Sequence, residues 1–438
     1  MHHPQQDATE TSGEMDGTLF GPPDRAKSSN RLAPEDRAVH DWYRFVLAFP
    51  PHLVREYLTR FGVRPGARVL DPFCGTGTTV VEAKKAGCDV IGFEANPMPH
   101  LACSVKTNWH LDSDAFLTSA ELCAGLARDI ISAETDPRTL PPEAADLLLA
   151  NSICPLPLHK ALVLRDTIDD CMTGLARDYA RVAFASTLVH AASNLHFGPE
   201  VGVRGRRADA DVVSAWLHRI RVMAADLRAL PQDATNRQAA IHHHDSRAMH
   251  AAVAPRSIDA VFTSPPYPNE KDYTRTTRLE SVILGFIPDK AALRRVKQGL
   301  VKSNTRGVYV TDEDGAWVAG NARIDALCTE IERRRTELGK TSGFEKLYHK
   351  VTRLYFGGMV RHLEALRPLL KSGATLGYVV GDQASYLQVL IRTGDILAEL
   401  AAGLGYEVVG LDLFRERFAT ATRAQIREEV LVLRWPGS

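Results

Sequence analysis

The chain has 438 residues, 45% of them hydrophobic and 24% charged, with 53 Lys and Arg against 53 Asp and Glu. That is the composition of an ordinary folded protein, long enough for a core domain with large insertions or for two domains. With a formal charge of zero, any nucleic-acid-binding surface has to be local, and no apolar run reaches membrane-spanning length.

Residues 1–36 are polar and aperiodic and read as a disordered tail, in which His2 and His3 are solvated. The tail lacks the apolar stretch of a secretory signal, so a cytoplasmic location is expected. From Trp42 to Gly62 apolar residues fall at helical spacing, with Leu53, Tyr57 and Phe61 following the break at Pro50-Pro51. Residues 67–79 then read as a short buried strand, a glycine turn and a helix start, with the helix stopping at Gly87. A second strand ends at Glu94, and this strand–helix–strand unit implies a parallel, doubly wound sheet. Residues 110–240 carry long amphipathic helical patterns without strand alternation and read as a helical insertion. Alternation resumes at 238–249 and 257–267, and a second helical, charge-rich stretch follows from about 279 to 370. A strand before Gly381-Asp382-Gln383, a helix and two closing strands, readable as a hairpin, complete the chain. Seven cysteines without a CxxC pair argue against a disulfide framework or a zinc site, and Cys74 and Cys154 read as small buried apolar residues.

Three of the strand ends carry residues suited to an adenosyl ligand. Asp71-Pro72-Phe73-Cys74-Gly75-Thr76-Gly77-Thr78-Thr79 lets a ligand approach the backbone, and the helix that follows offers unpaired N–H groups to a phosphate or a carboxylate. Glu94 stands where an acid can accept both ribose hydroxyls. The GxGxxG spacing of dinucleotide enzymes is absent, which favours a smaller adenosyl group. Asp245, at the end of a third strand, can accept an adenine amine. His242, His243 and His244 precede it on alternating faces, so no metal is assigned. Each element also has a plain structural reading, as a tight turn or a surface acid.

Thr263-Ser264-Pro265-Pro266-Tyr267 is more specific. Two prolines directly after a central strand impose a rigid turn. The Ser264 hydroxyl and Pro265 carbonyl can accept both hydrogens of an exocyclic amine, and the Tyr267 ring can stack on the base carrying it, worth about 1–3 kcal/mol. The rival reading is a Pro-Pro turn with a packed tyrosine.

DPFCGTGTT combined with TSPPY resembles the DNA amino-methyltransferase family, and Ser-Pro-Pro-Tyr resembles its N4-cytosine branch; N6-adenine members more often carry Asp-Pro-Pro-Tyr. The resemblance covers 41–108, 241–286 and 352–435. It implies a Rossmann-like, doubly wound α/β fold with a seven-stranded, mostly parallel sheet and helical insertions. It also implies S-adenosyl-L-methionine as cofactor and double-stranded DNA with a flipped target base as substrate. On that reading Phe49 and Pro50 lie near the cofactor, Asp71, Pro72, Phe73, Gly75, Gly77 and Thr78 line its methionine end, Glu94 takes the ribose and Asp245 the adenine. Ser264, Pro265, Pro266 and Tyr267 hold the base. The glycine motif precedes TSPPY, so the order is not that of the permuted branch.

The core is then expected in three parts, 37–109, 239–286 and 351–438, separated by insertions 110–238 and 287–350. The first insertion is the candidate target-recognition region and the second its rival. Candidate phosphate or guanine contacts are Arg204, Arg206 and Arg207 in one loop, and Arg294, Arg295, Lys297, Lys302 and Arg306 in an acid-free run. A solvated face is the alternative for both, and neither segment interleaves aromatic residues in sequence. Gly381-Asp382-Gln383 reads equally as part of the base pocket or as a cap. The expected reaction is a direct displacement on a base flipped from the duplex. A Pro-Cys nucleophile, which ring-carbon methylation would need, is absent from the sequence. N6-adenine or RNA methylation, a small-molecule methyltransferase and an inactive nucleic-acid-binding module remain alternatives, and a cognate restriction endonuclease is a candidate partner.

Overall fold

The structure, a computed structural model, describes residues 32–44, 48–198, 200–269, 271–419 and 423–437. His2, His3 and most of the expected tail lie outside the described residues. Residues 32–36 do not fit a disordered tail: Pro34–Asp36 form a helical turn, and the Asp36 carboxylate receives two hydrogen bonds from Arg55 at 2.8 and 3.1 Å.

Short runs rich in Val, Ile and Leu build the centre of the molecule. β1 (Arg68–Asp71), β2 (Asp89–Phe93), β5 (Ala239–His242), β6 (Ile258–Thr263) and β7 (Leu370–Gly381) run parallel, and β8 (Glu407–Ala419) and β9 (Ala424–Arg434) close the sheet as an antiparallel hairpin. The order is β5-β2-β1-β6-β7-β9-β8. Successive side chains serve opposite faces: Val69, Val90 and Phe262 enter one core, and Leu70, Ile91 and Val261 the other. With both faces covered, the strands read as continuous apolar runs rather than alternating ones.

Helix α1 (Pro51–Arg60) and α2 (Thr78–Lys85) cover the first face through Leu53, Tyr57 and Val80; α3 (Pro97–Thr107) follows β2 and sends Cys103 into the same core. The other face carries helices Tyr348–Leu366 and Thr393–Gly403. Chain order reverses direction across the sheet between β1 and β6, so the loops leaving these strands diverge and open a crevice at their carboxyl ends. The glycine motif and TSPPY therefore meet, although Asp71 and Thr263 stand 192 positions apart.

The first insertion packs four helices, Ser113–Ala133, Pro155–Cys171, Gly174–Thr187 and Val212–Ala229, around Tyr179 and Trp216. It also holds a hairpin that a wholly helical reading misses: β3 (Leu195–Phe197) pairs antiparallel with β4 (Val201–Val203). Strands of three residues are too short to show a two-residue period. The second insertion holds Lys290–Gln298 and Ala322–Glu337. No helix among the described residues is long and apolar enough to cross a membrane.

Candidate active site

The first wall of the site is the turn after β1. Gly77 has φ +95°, and a Cβ there would lie 3.0 Å from the Cys103 sulfur of α3, so both backbone and packing require glycine. Pro72, Phe73, Gly75, Thr76 and Thr78 face a cavity of about 310 Å³. Asp71 and Gly77 are not among the residues lining it. Asp71 lies buried behind the turn, where its Oδ1 accepts the Phe73 N–H at 3.1 Å and the Thr263 hydroxyl at 2.5 Å. It joins the two motif loops from below rather than reaching the cavity. Its Oδ2 has no hydrogen-bond partner among the described residues, and burial pushes its carboxyl up to about 7.

Glu94 lies deep in the structure but opens onto the cavity. The Gly75 N–H donates to Oε2 at 3.0 Å and the Asn96 N–H to Oε1 at 2.7 Å. A carboxylate has about four lone-pair sites, so two remain, one on each oxygen. This leaves an acceptor for each of two vicinal hydroxyls. Burial raises the Glu94 carboxyl to about 7, against the opposing pull of its backbone N–H partners.

Asp245 does not line this cavity. Both its oxygens are held by Arg247, whose guanidinium also reaches Asp314 in the second insertion. Its neighbours His244 and Ser246 line the wall instead. The Ser246 carbonyl is fixed by the buried His362 at 3.1 Å. Facing a carbonyl, His362 Nδ1 must carry the proton, and Nε2 then accepts from the Tyr378 hydroxyl at 2.8 Å. Burial lowers this imidazole to about 4, so it stays neutral, and its ring packs edge-on against Phe73 at 4.8 Å. Phe49, ahead of α1, lines the cavity and meets Phe262 at 5.8 Å.

The second wall is the corner after β6, where Ser264, Pro265, Pro266 and Tyr267 all face the cavity. Ser264 Oγ donates its proton to the Val379 carbonyl of β7 at 3.2 Å, which leaves its lone pairs as acceptors. The Tyr267 hydroxyl donates to Glu428 at 3.0 Å, and Glu428 in turn pairs with Arg415. One ring edge rests on Gly381, where a Cβ would come within 3.1 Å. Burial and the Glu428 charge hold the Tyr267 phenol well above its usual range, so it stays protonated.

Other wall residues were not legible in sequence. Lys271 and Tyr273 follow the corner, Gly299–Val301 return from the second insertion, and Arg415, Arg417 and Glu428 descend from the β8–β9 hairpin. Asp382 stays outside the wall, buried and paired with Arg392 and Arg427, as a cap would be.

The expected nucleic-acid contacts divide. Arg204, Arg206, Arg207, Arg294, Arg295 and Arg306 are exposed. Lys297 is ion-paired with Asp272 at 2.8 Å, and the buried Lys302 with Asp312 at 3.3 Å. Folding supplies aromatic partners that the linear sequence hides: Arg294 lies over Tyr309 and Arg306 over Phe344, at 4.9 and 5.4 Å.

A family profile described as DNA methylase matches residues 18–100, which span α1, β1, the glycine turn, β2 and the start of α3. The type II methyltransferase M.BsoBI of Geobacillus stearothermophilus is 23% identical over 424 residues, covering 88% of this chain and 82% of that protein. The crystal structure of TrmN from Thermus thermophilus aligns with 88% of this chain at 10% identity and a TM-score of 0.27; the alignment spans 48% of that chain. The seven-stranded, mostly parallel sheet with its flanking helices is that of the S-adenosylmethionine-dependent methyltransferase fold.

Proposed function

We propose that this chain is an S-adenosylmethionine-dependent DNA methyltransferase that acts on the exocyclic N4 amine of a cytosine flipped from the duplex. One observation carries the reading: Glu94 and the Ser264–Tyr267 corner line one and the same cavity. The similarity to a DNA methylase profile and to a type II methyltransferase supports DNA as the substrate.

The residues present fit the cofactor. Glu94 would hold the ribose through its two free acceptor positions, and Phe49, Phe73 and the Gly75-Thr76 turn would enclose the rest. Bound there, S-adenosyl-L-methionine supplies an electrophilic methyl group on a positively charged sulfur. The chain's own residues prepare the amine. Its lone pair is delocalised into the base, which makes it a poor nucleophile. Ser264 Oγ has its proton committed to Val379, and the Pro265 carbonyl receives no hydrogen bond from a described residue, so both can accept from the amine. Two fixed acceptors favour a pyramidal nitrogen and stabilise the positive charge developing on it, without reorganisation during reaction. Tyr267, anchored through Glu428, gives the base a face to stack on and so fixes its distance and angle. Cys74 also lines the cavity, but burial pushes its thiol far up, and as a neutral thiol it offers no covalent route.

Purified protein supplied with methyl-labelled cofactor tests the substrate class. Label should enter duplex DNA and not RNA of the same sequence; transfer to RNA alone refutes the DNA assignment. A cognate restriction endonuclease is the partner proposed with it.

A further inference from the structure

The corner that holds the base is more positive than a base requires. Glu428 is already satisfied by Arg415 and by the Tyr267 hydroxyl. Two other cations line the same end of the cavity, Lys271 and Arg417. The Lys271 backbone is pinned: its N–H donates to Asn269 Oδ1 at 3.2 Å, and its carbonyl accepts from Asn304 Nδ2 at 3.1 Å. Its amine, however, is in ion-pair contact with no described carboxylate; Glu200 and Glu428 act on it only at longer range. Arg417 donates one nitrogen to the Asp382 carbonyl at 2.6 Å, and its buried Nε has no partner among the described residues.

Cytosine is neutral, and its amine becomes positive as the methyl group arrives. Two cations without an ion-pair partner among the described residues would oppose that charge. They belong in the site only if the substrate brings an anion with it. We propose that Lys271 and Arg417 seat a backbone phosphate flanking the target nucleotide, so that the site takes a nucleotide within a strand rather than a free base or nucleoside. The raised cost of a second positive charge also shows in Lys271 itself, whose amine is held below its usual range first by burial and then by Arg417. The inference rests on the base-methylation reading and adds to it the two side chains that hold the strand beside the target nucleotide.

The test uses the full chain and a duplex oligonucleotide spanning a site that the wild type methylates. Lys271→Gln should lower kcat/KM for DNA by roughly tenfold, as expected for one charge-assisted contact. The slope of log kcat/KM against log salt should flatten by about one unit, since one fewer phosphate is neutralised. Lys271→Arg should restore both, with cofactor affinity unchanged throughout. A neutral methylphosphonate at the seated linkage should cost the wild type as much as the substitution does, and cost Lys271→Gln nothing more. The proposal fails if Lys271→Gln keeps wild-type efficiency and salt slope, or if the two losses add in full. It fails equally if the variant loses cofactor affinity, because the amine would then serve the cofactor. Wild-type protein that labels no nucleic acid would sink the base-methylation reading as well; an unaffected variant sinks only the phosphate seat.

Discussion

Tyr267 separates the two functions that its side chain combines. One edge of its ring rests on Gly381 and the ring lines the cavity, where the proposed reading has it stack on the base. Its hydroxyl anchors it to Glu428 at 3.0 Å. Tyr267→Ala removes the stacking face, worth about 1–3 kcal/mol per base, which translates into a loss of roughly 5- to 150-fold in kcat/KM for DNA. Tyr267→Phe keeps the face but leaves a Glu428 oxygen without its donor, at a cost of about 1–3 kcal/mol in stability. The alanine variant should therefore lose turnover, and the phenylalanine variant should lose denaturant resistance while keeping most of its turnover at low temperature. Steady-state methylation and equilibrium unfolding of both variants read this out, with cofactor binding as a control. The reasoning is refuted if Tyr267→Ala methylates at the wild-type rate. It is also refuted if folded Tyr267→Phe falls as far as the alanine variant.

If Glu94 holds the ribose as proposed, cofactor affinity should depend on pH through its carboxyl, which sits at about 7 and would have to be ionised to accept both hydroxyls. The dissociation constant should rise about tenfold from pH 8 to pH 6, and Glu94→Gln should bind weakly with no such dependence; calorimetry checks both. The stability of the free protein should run the opposite way. Asp71 and Glu94 have folded values near 7, above the 3.8 and 4.5 of free carboxyls, so their contribution is largest below about pH 4 and is lost as pH rises through 7. Thermal melts at pH 6 and 8 test this sign. Thr263→Val removes the hydroxyl that joins β6 to Asp71, and should cost about 1–3 kcal/mol in urea unfolding and weaken cofactor and DNA use together. Gly77→Ala places a Cβ 3.0 Å from Cys103 on a backbone with φ +95° and should cost about 1–3 kcal/mol, measured in the same way.

Local chemistry made the sheet and the two motif loops legible. Apolar runs ending in Asp71, Glu94 and Thr263, each followed by a turn residue, announce parallel strands whose carboxyl ends carry the site. Ser264 to Tyr267 were readable because proline geometry at a strand end is informative without tertiary context. The same logic misplaced Asp245, because nothing in the sequence shows that Arg247, two positions on, will take both its oxygens. Lys297 and Lys302 looked like solvent-facing cations for the same reason; Asp272 and Asp312 reach them only once the second insertion folds back. The hairpin residues Arg417 and Glu428 were invisible as site residues, since their place over Gly381 depends on the pairing of β9 with β7. The short β3–β4 hairpin escaped because three-residue strands carry no period.

The chemical identity of the methylated nucleoside bears most directly on the account. DNA from cells expressing the intact chain, digested and resolved by mass spectrometry, should contain N4-methylcytosine, and less of it should accumulate in cells expressing Tyr267→Ala at the same level. N6-methyladenine in its place, a methyl group on a ring carbon, or no modified nucleoside from an expressed and folded chain would contradict it.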